Sequence, residues 1–417
     1  MLRIVILLSF LLFGINTKIF AQLNDEYFQK SKNSAGAYSS FNANSNAFTN
    51  GFLSAFYNGS FIDSTTKTEV SKKLKNTNRF GFDYTLHVWG MASIDTFLNK
   101  TGYSFVAGIQ HSEHIDMRFS KDLFNLAFFG NKSFAGKTAD AGNFSFNQLR
   151  YQEFFAGYFK QTEKFGRLLN EGFTISFVKG EKNAAIKIPE ASIYTQEEGK
   201  EISLAMQYEY ASSDTSKKGV NALNGWGLAS DYFTEIPIGD CDKMRFEFTD
   251  LGFIFWNKKA FTTTTDTSFV FNGLKIDHIL DWKDSVNTSL NNDSLINQLN
   301  QKTEFNHYAI ALPTTVHFYY QKNFNDKVMI KGGAMMRFFA NYTPLLYCKF
   351  EYYPTPSLCL NWRFAYGGYG KLTFGMGADK LFLKKYALTV GTQHIEGLLS
   401  KTTSGINAYA GFKVYFR

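Results

Sequence analysis

The chain has 417 residues, of which 44% are hydrophobic and 18% aromatic, including 45 Phe and 23 Tyr. Its mean hydropathy is nevertheless only −0.22, and after the N-terminal region no stretch approaches the roughly 18 apolar residues that a membrane helix requires. The formal charge of +8 comes from basic residues scattered among Asp and Glu, which argues against nucleic-acid binding. This composition excludes a helical membrane protein and favours alternating strands rich in aromatic side chains.

Residues 1–21 predict a secretory signal peptide. Arg3 precedes an apolar run from Ile4 to Phe13, and the small residue Ala21 provides a cleavage site before Gln22. The run is too short to span a membrane as a helix, and the alternative is an uncleaved N-terminal anchor. We therefore expect an exported protein.

Residues 22–75 form a Ser- and Asn-rich N-terminal segment with little periodicity, as in NSAGAYSSFNANSNAFTNG. A second irregular stretch contains a short amphipathic run from Asp122 to Phe129. In a wide barrel such pieces fold inward as a plug or remain mobile loops. The sequence leaves both alternatives open.

Residues 76–417 contain recurrent segments in which apolar and polar residues alternate. Successive side chains of a strand point to opposite faces, so each segment has one apolar and one polar face. Their length of about nine to eleven residues suits a tilted membrane crossing, whereas strands of soluble sheets average about five or six. Examples are SLAMQYEY at 203–210, TTVHFYYQ at 314–321 and KVMIKGGAMMRF at 327–338. The pattern predicts an all-β fold, a single antiparallel transmembrane β-barrel of about 14 strands.

The connections between these segments differ in size. KNFND, YPTPS and DKLFLKK are short, as periplasmic turns are in such barrels. Counting back from the C-terminus places residues 258–304 on the opposite, extracellular side. We expect this insert to contain a small hairpin and then a surface helix or two, because Ile279, Val286, Leu290 and Leu299 recur at helical spacing.

The final segment, GINAYAGFKVYFR, alternates to the end of the chain. One set is apolar throughout and runs from Ile406 to Phe416, whereas the other set contains Asn407, Lys413 and Arg417. This arrangement is typical of a last barrel strand whose apolar face meets outer-membrane lipid. Phe416 fits the terminal aromatic signal that barrel-insertion machinery reads.

Five passages in a fixed order resemble a family of uncharacterised outer-membrane barrels from Bacteroidota, which is itself similar to the long-chain fatty-acid channels. They are LRYQEFFAGYFK, GFTISFVKGEK, GWGLASDYF, FTDLGFIFW and YAIALPTTVHFYY. Their spacing covers most of the chain from about Lys121 onwards. The resemblance implies a barrel fold and an outer-membrane location, and it supplies no established substrate.

Charged side chains at mid-depth belong inside the barrel, because an Arg or Lys that faces lipid costs about 2–4 kcal/mol. They would form either a salt-bridged interior or a polar track that clamps a ligand. An apolar pocket is predicted among the inner residues Tyr319, Met329 and Met335. The charged lumen candidates are Glu153, Lys179, Glu209, Lys331, Arg337, Arg363 and Lys413.

The sequence contains no convincing catalytic or metal motif. His111 and His114 flank Glu113 in HSEH, but positions three apart in a strand face opposite sides, so no metal site is expected. No nucleophile elbow, phosphate loop or dinucleotide fingerprint is present. We therefore expect no enzymatic activity and no cofactor.

Two functions remain. In the first, the barrel binds or transports a small hydrophobic compound through a partly plugged lumen. In the second, it is an accessory or scaffold subunit of an envelope complex and binds a protein partner through the 258–304 insert. Fold analogy favours the first, although fold is a weak guide to function.

Overall fold

The structure is a computed structural model that describes residues 33–94, 101–164, 167–239, 242–271 and 302–416. The predicted signal peptide at 1–21 and the predicted helical run at 279–299 lie outside these residues.

Fourteen strands form the barrel wall in the described part of the chain. Each is antiparallel to its two neighbours, and most are ten residues or longer. They are β1 (Asn33–Ser45), β2 (Thr77–Ile94), β3 (Tyr103–Ser120), β5 (Phe144–Lys164), β6 (Arg167–Ile188), β9 (Gly225–Ile238), β10 (Asp242–Trp256), β14 (Thr315–Asn325), β15 (Val328–Arg337), β16 (Thr343–Thr355), β17 (Leu358–Gly368), β18 (Leku372–Phe382), β19 (Tyr386–Thr392) and β20 (Gly405–Phe416).

The barrel closes between its first and last strands. On β1, Ala35 lies opposite Gly90 of β2 on one side and opposite Val414 of β20 on the other. Closure removes the unpaired edges that an open sheet would expose to lipid. The predicted single antiparallel barrel of about 14 strands is confirmed.

The two ends of the barrel differ. At one end, here called the turn end, the connections are short, and Asn33 and Phe416 also lie there. At the other, the loop end, long connections carry every helix of the described residues: α1 (Asn50–Tyr57), α2 (Ser64–Lys73), α3 (Lys121–Phe129), a 3-10 turn (Asn131–Phe134) and α4 (Ile395–Leu399). None of these helices is long and apolar enough to cross a membrane.

The outer wall is apolar and the inner wall is largely polar. On β20 the apolar set that contains Phe412 faces outward, whereas Asn407 and Lys413 are buried inside, as the alternation predicts. Large apolar side chains on the other strands share this outward face and are exposed, as expected for contact with lipid. They include Val88, Ile109, Phe154, Ile175, Leu228, Phe246, Phe318, Leu346, Phe364 and Leu388.

Six further strands extend the sheet beyond the wall at the loop end. They are β4 (Lys137–Asp140), β7 (Ala191–Thr195), β8 (Ile202–Ser212), β11 (Phe261–Phe271), β12 (Lys302–Phe305) and β13 (Ala309–Ala311). β8 pairs with β6, β7 and β11, and β11 pairs with β12. The described ends of the predicted 258–304 insert are therefore strands of this extension.

The predicted N-terminal boundary is wrong, because Asn33–Ser45 is a wall strand and the barrel begins before residue 76. Its alternation is weak in the sequence since the outward positions are small, as at Ala35 and Ala37. Large neighbours cover them. Gly36 leaves room for the Trp89 ring, which a Cβ atom would approach to 2.9 Å.

Residues 46–76 do not plug the barrel. Phe48, Phe52 and Val70 form a buried cluster with Phe119 of β3 and Phe124 of α3. Phe119 alternates with the inward-facing residues of β3, so the helices pack against the outward side of the loop end. The amphipathic run at 122–129 is confirmed as helix α3 and belongs to the same cluster.

Side chains fill the half of the lumen nearer the turn end. Tyr38, Trp89 and Phe155 belong to one buried cluster there, and Met329 packs with Tyr353 and Cys359 in another. Open space is therefore concentrated nearer the loop end.

Candidate functional site in the lumen

A cavity of about 220 Å³ lies inside the barrel towards the loop end. Its wall consists of inward-facing residues of β1–β3, β5, β10 and β14–β20, and the loops that follow β15, β17 and β19 complete it. Apolar surface comes from Met335, Leu345 and several tyrosine rings. The charged and imidazole groups of the lining are Asp83, Glu113, His114, Glu247, His317, Lys331, Arg337, Lys349, Arg363 and His394. The cavity is therefore amphipathic rather than the purely apolar pocket that the sequence predicts.

Arg337 is neutralised by an ion pair across the lumen. Its Nη1 donates to both carboxylate oxygens of Asp83, at 2.8 and 3.0 Å. The Nδ1 atom of His114 lies 2.7 Å from the same Asp83, and its Nε2 lies 3.2 Å from Asp116. These contacts join β15 to β2 and β3, so Arg337 has a structural partner of its own.

The same network holds two loops over the cavity. The backbone N–H of Asn341 donates to Asp116 at 3.0 Å, and the Tyr369 hydroxyl lies 3.3 Å from His114 Nε2. The rings of Tyr342 and Tyr369 contact each other edge to face, with centroids 5.0 Å apart. Burial raises the pKa of Tyr342 to about 12, so this phenol is neutral at physiological pH.

Lys331 is also neutralised. Its Nζ lies 3.4 Å from Glu351 Oε1, and Lys349 Nζ lies 2.8 Å from the same oxygen. Asp379 on β18 provides a second nearby carboxylate, which accepts a hydrogen bond from Thr389 at 2.5 Å. These two cations and two carboxylates balance each other.

Glu247 and His317 line the β10–β14 side of the cavity. Arg245 Nε lies 3.3 Å from Glu247 Oε2, and His317 Nδ1 lies 3.8 Å from that oxygen. The other ring nitrogen of His317 lies 2.8 Å from the Tyr347 hydroxyl. The carboxylate on this side therefore has a buried cationic partner.

Arg363 differs from the other lumenal arginines. Its Nη1 donates to Gln393 Oε1 at 2.7 Å, and the guanidinium lies 5.1 Å from the Tyr347 ring centroid. No ion pair of the described residues involves it, and the titratable groups that act on it are the phenols of Tyr342, Tyr347 and Tyr409. Arg363 thus presents a positive charge to the cavity that no nearby carboxylate balances.

Five of the ten predicted lumen residues line this cavity, namely Tyr319, Lys331, Met335, Arg337 and Arg363. Three others face the lumen outside it. Glu153 is 2% exposed, Met329 packs with Tyr353 and Cys359, and Lys413 Nζ lies 5.2 Å from the Trp89 ring.

Two predicted lumen residues lie outside the barrel lumen. Lys179 shares the outward face of Phe177, and its Nζ donates to the carbonyl of Val220 near the loop end, where the cost of an outward charge is small. Glu209 is exposed on β8 of the extension sheet, opposite Thr264 of β11. Alternation looks the same in a wall strand and in an extension strand, which explains this error.

The sequence analysis missed several residues of the cavity. Asp83, Tyr347 and the loop residues Tyr342 and Tyr369 were not singled out, although Asp83 alternates with the apolar outward residues of β2. His111 and His114 do lie on opposite faces, since His114 lines the cavity and His111 faces outward. Their separation removes the spacing that a shared metal ion would need.

The profile described as "Family of unknown function (DUF5723)" matches residues 34–389. No curated protein matches the chain. Three solved barrels are similar to it. The TodX deltaS2S3 mutant monoaromatic hydrocarbon channel has a TM-score of 0.47 at 8% identity, over 94% of this chain and 92% of that one.

The toluene transporter TbuX from Ralstonia pickettii has a TM-score of 0.44 at 10% identity, over 94% and 91% of the two chains. A Pseudomonas aeruginosa FadL homologue has 0.43 at 8% identity, over 93% and 91%. The predicted resemblance to the fatty-acid channels thus has a counterpart among solved barrels, while an origin in Bacteroidota stays a prediction. Likeness this distant says nothing about what the chain binds.

Proposed function

The chain belongs to the DUF5723 family, and we propose that this member is an outer-membrane barrel that binds a small, largely hydrophobic compound in its lumen and lets it pass. The observation that carries the proposal is the cavity beneath the Tyr342 and Tyr369 loops. Its aromatic rings, Met335 and Leu345 offer apolar contact, and its polar groups can orient a bound molecule.

The placement of the barrel follows from its two ends and its outer face. The apolar outer wall would contact outer-membrane lipid, the turn end would face the periplasm, and the loop end would face outward. Phe416 lies at the turn end of β20 and would be the residue that the insertion machinery recognises. Passage beyond the cavity would require side chains of the packed turn-end half to move.

Native mass spectrometry of protein gently extracted from membranes tests this proposal. We expect a bound small-molecule mass that is lost when Met335→Lys places a charge in the cavity wall. Met206→Lys on β8 is the matched control, because Met206 lies on the extension sheet and outside the cavity. Heat-modifiable migration on a denaturing gel shows whether each variant still folds as a barrel.

The opposite result would favour the second function. A barrel without a bound small molecule that carries another protein at a fixed ratio would refute ligand passage and indicate an accessory subunit. The extension sheet, with β11 and β12 at the ends of the predicted insert, would then be the surface to delete.

A further inference from the structure

Resting on the proposed function, we propose that the lumenal cavity selects a compact monoanion, a molecule with an aromatic or alicyclic body and one carboxylate, and that Arg363 binds the carboxylate. The inference begins with an imbalance of charge among the cationic residues of the cavity wall.

Four basic side chains line the cavity, and three of them already have carboxylate partners. Arg337 pairs with Asp83, while Lys331 and Lys349 share Glu351. A buried cation is costly unless a counter-charge or a set of hydrogen bonds compensates for the lost hydration. For these three the compensation comes from the protein itself.

Arg363 lacks such a partner within the described residues. A guanidinium has five N–H donors, and the hydrogen bond to Gln393 occupies one of them. Gln393 and Tyr347 hold the group in place from two sides. A fixed guanidinium that opens onto a cavity is a suitable receptor for a carboxylate, because the two groups match in a planar, two-bond geometry.

The surroundings of Arg363 favour an aromatic or alicyclic body. Tyr342, Tyr347 and Tyr409 are its titratable neighbours, and all three also line the cavity. Ring faces attract apolar and aromatic surfaces, whereas a second anion on the ligand would have to approach Glu247 or Glu351. The site therefore suits a molecule with a single negative charge.

The size of the cavity limits the ligand. A volume of about 220 Å³ corresponds to roughly seven water molecules and lies below the usual range for drug-sized ligands. A body of about ten non-hydrogen atoms fits this space, whereas a long alkyl chain does not. Benzoate is the probe of matching size and charge.

Calorimetric titration of the full-length barrel in lipid nanodiscs tests the inference with three probes of one shape: benzoate, benzyl alcohol and benzylammonium. We expect benzoate to bind most tightly and benzylammonium most weakly. Arg363→Gln should weaken benzoate about 10- to 100-fold, as expected for loss of charge-assisted hydrogen bonds, and should leave benzyl alcohol nearly unchanged. Arg118→Gln is the matched control, because Arg118 bonds to the carbonyl of Asn143 and lies outside the cavity.

Arg363→Glu provides a second readout that loss of folding cannot imitate, since we expect it to reverse the preference between benzoate and benzylammonium. If benzyl alcohol and benzoate bind equally and Arg363→Gln changes neither, the anion site is refuted while ligand binding stands. If no probe binds and no small molecule co-purifies, the proposed function fails and the anion site fails with it.

Discussion

The ion pair between Asp83 and Arg337 allows a quantitative test of the lumenal network. The pair has two hydrogen bonds of 2.8 and 3.0 Å, and both side chains are at most one fifth exposed. Removing one partner leaves the other as a poorly solvated charge, which typically costs about 3–5 kcal/mol. We expect Arg337→Met to lower the free energy of unfolding by about 3 kcal/mol. Asp83→Asn should cost a similar amount, moderated by the remaining contact with His114.

The double variant should cost less than the sum of the single variants, with a coupling energy of about 2 kcal/mol, because neither charge is then left alone. Urea unfolding of the barrel in lipid vesicles, followed by tryptophan fluorescence, gives all four free energies. Lys200→Met serves as the control, since Lys200 and Glu198 form an ion pair in which both side chains are mostly exposed, and its loss should change stability by less than about 0.5 kcal/mol. A coupling below about 0.5 kcal/mol would show that the Asp83–Arg337 pair does not hold the loops over the cavity.

Two further predictions concern those loops. Gly81→Ala would place a Cβ atom against the Tyr369 ring and should destabilise the barrel by about 1–3 kcal/mol, whereas Gly90→Ala on the same strand meets open space and should be nearly neutral; urea unfolding that ranks them equally would contradict this packing. The pKa of Tyr342 is raised to about 12, so its phenol ionises more readily in the unfolded chain; stability is constant below pH 10 and should fall by up to about 2–3 kcal/mol between pH 10 and 12. Unfolding measured from pH 8 to 12 should show a shallower decline for Tyr342→Phe, and identical slopes would refute the burial of this phenol.

The sequence by itself determined the class of fold and the faces of the wall strands. On β20 the apolar set faces outward, and on β14 and β15 the side chains of Tyr319, Lys331 and Arg337 point into the lumen as alternation predicts. The physical reason is local, because a strand sends alternate side chains to opposite sides whatever its partners are. Length and alternation therefore suffice to recognise a membrane barrel.

Only the tertiary structure decided where the barrel closes and which lumenal charges are balanced. β1 was missed because its small outward residues are covered by neighbours distant in sequence, and Glu209 was misplaced because an extension strand alternates like a wall strand. Arg337 and Arg363 look equivalent in the sequence. Asp83, 254 residues from Arg337, neutralises the first, whereas no carboxylate of the described residues forms an ion pair with the second. Pairing between strands so far apart depends on the register of the closed barrel, which no local pattern encodes.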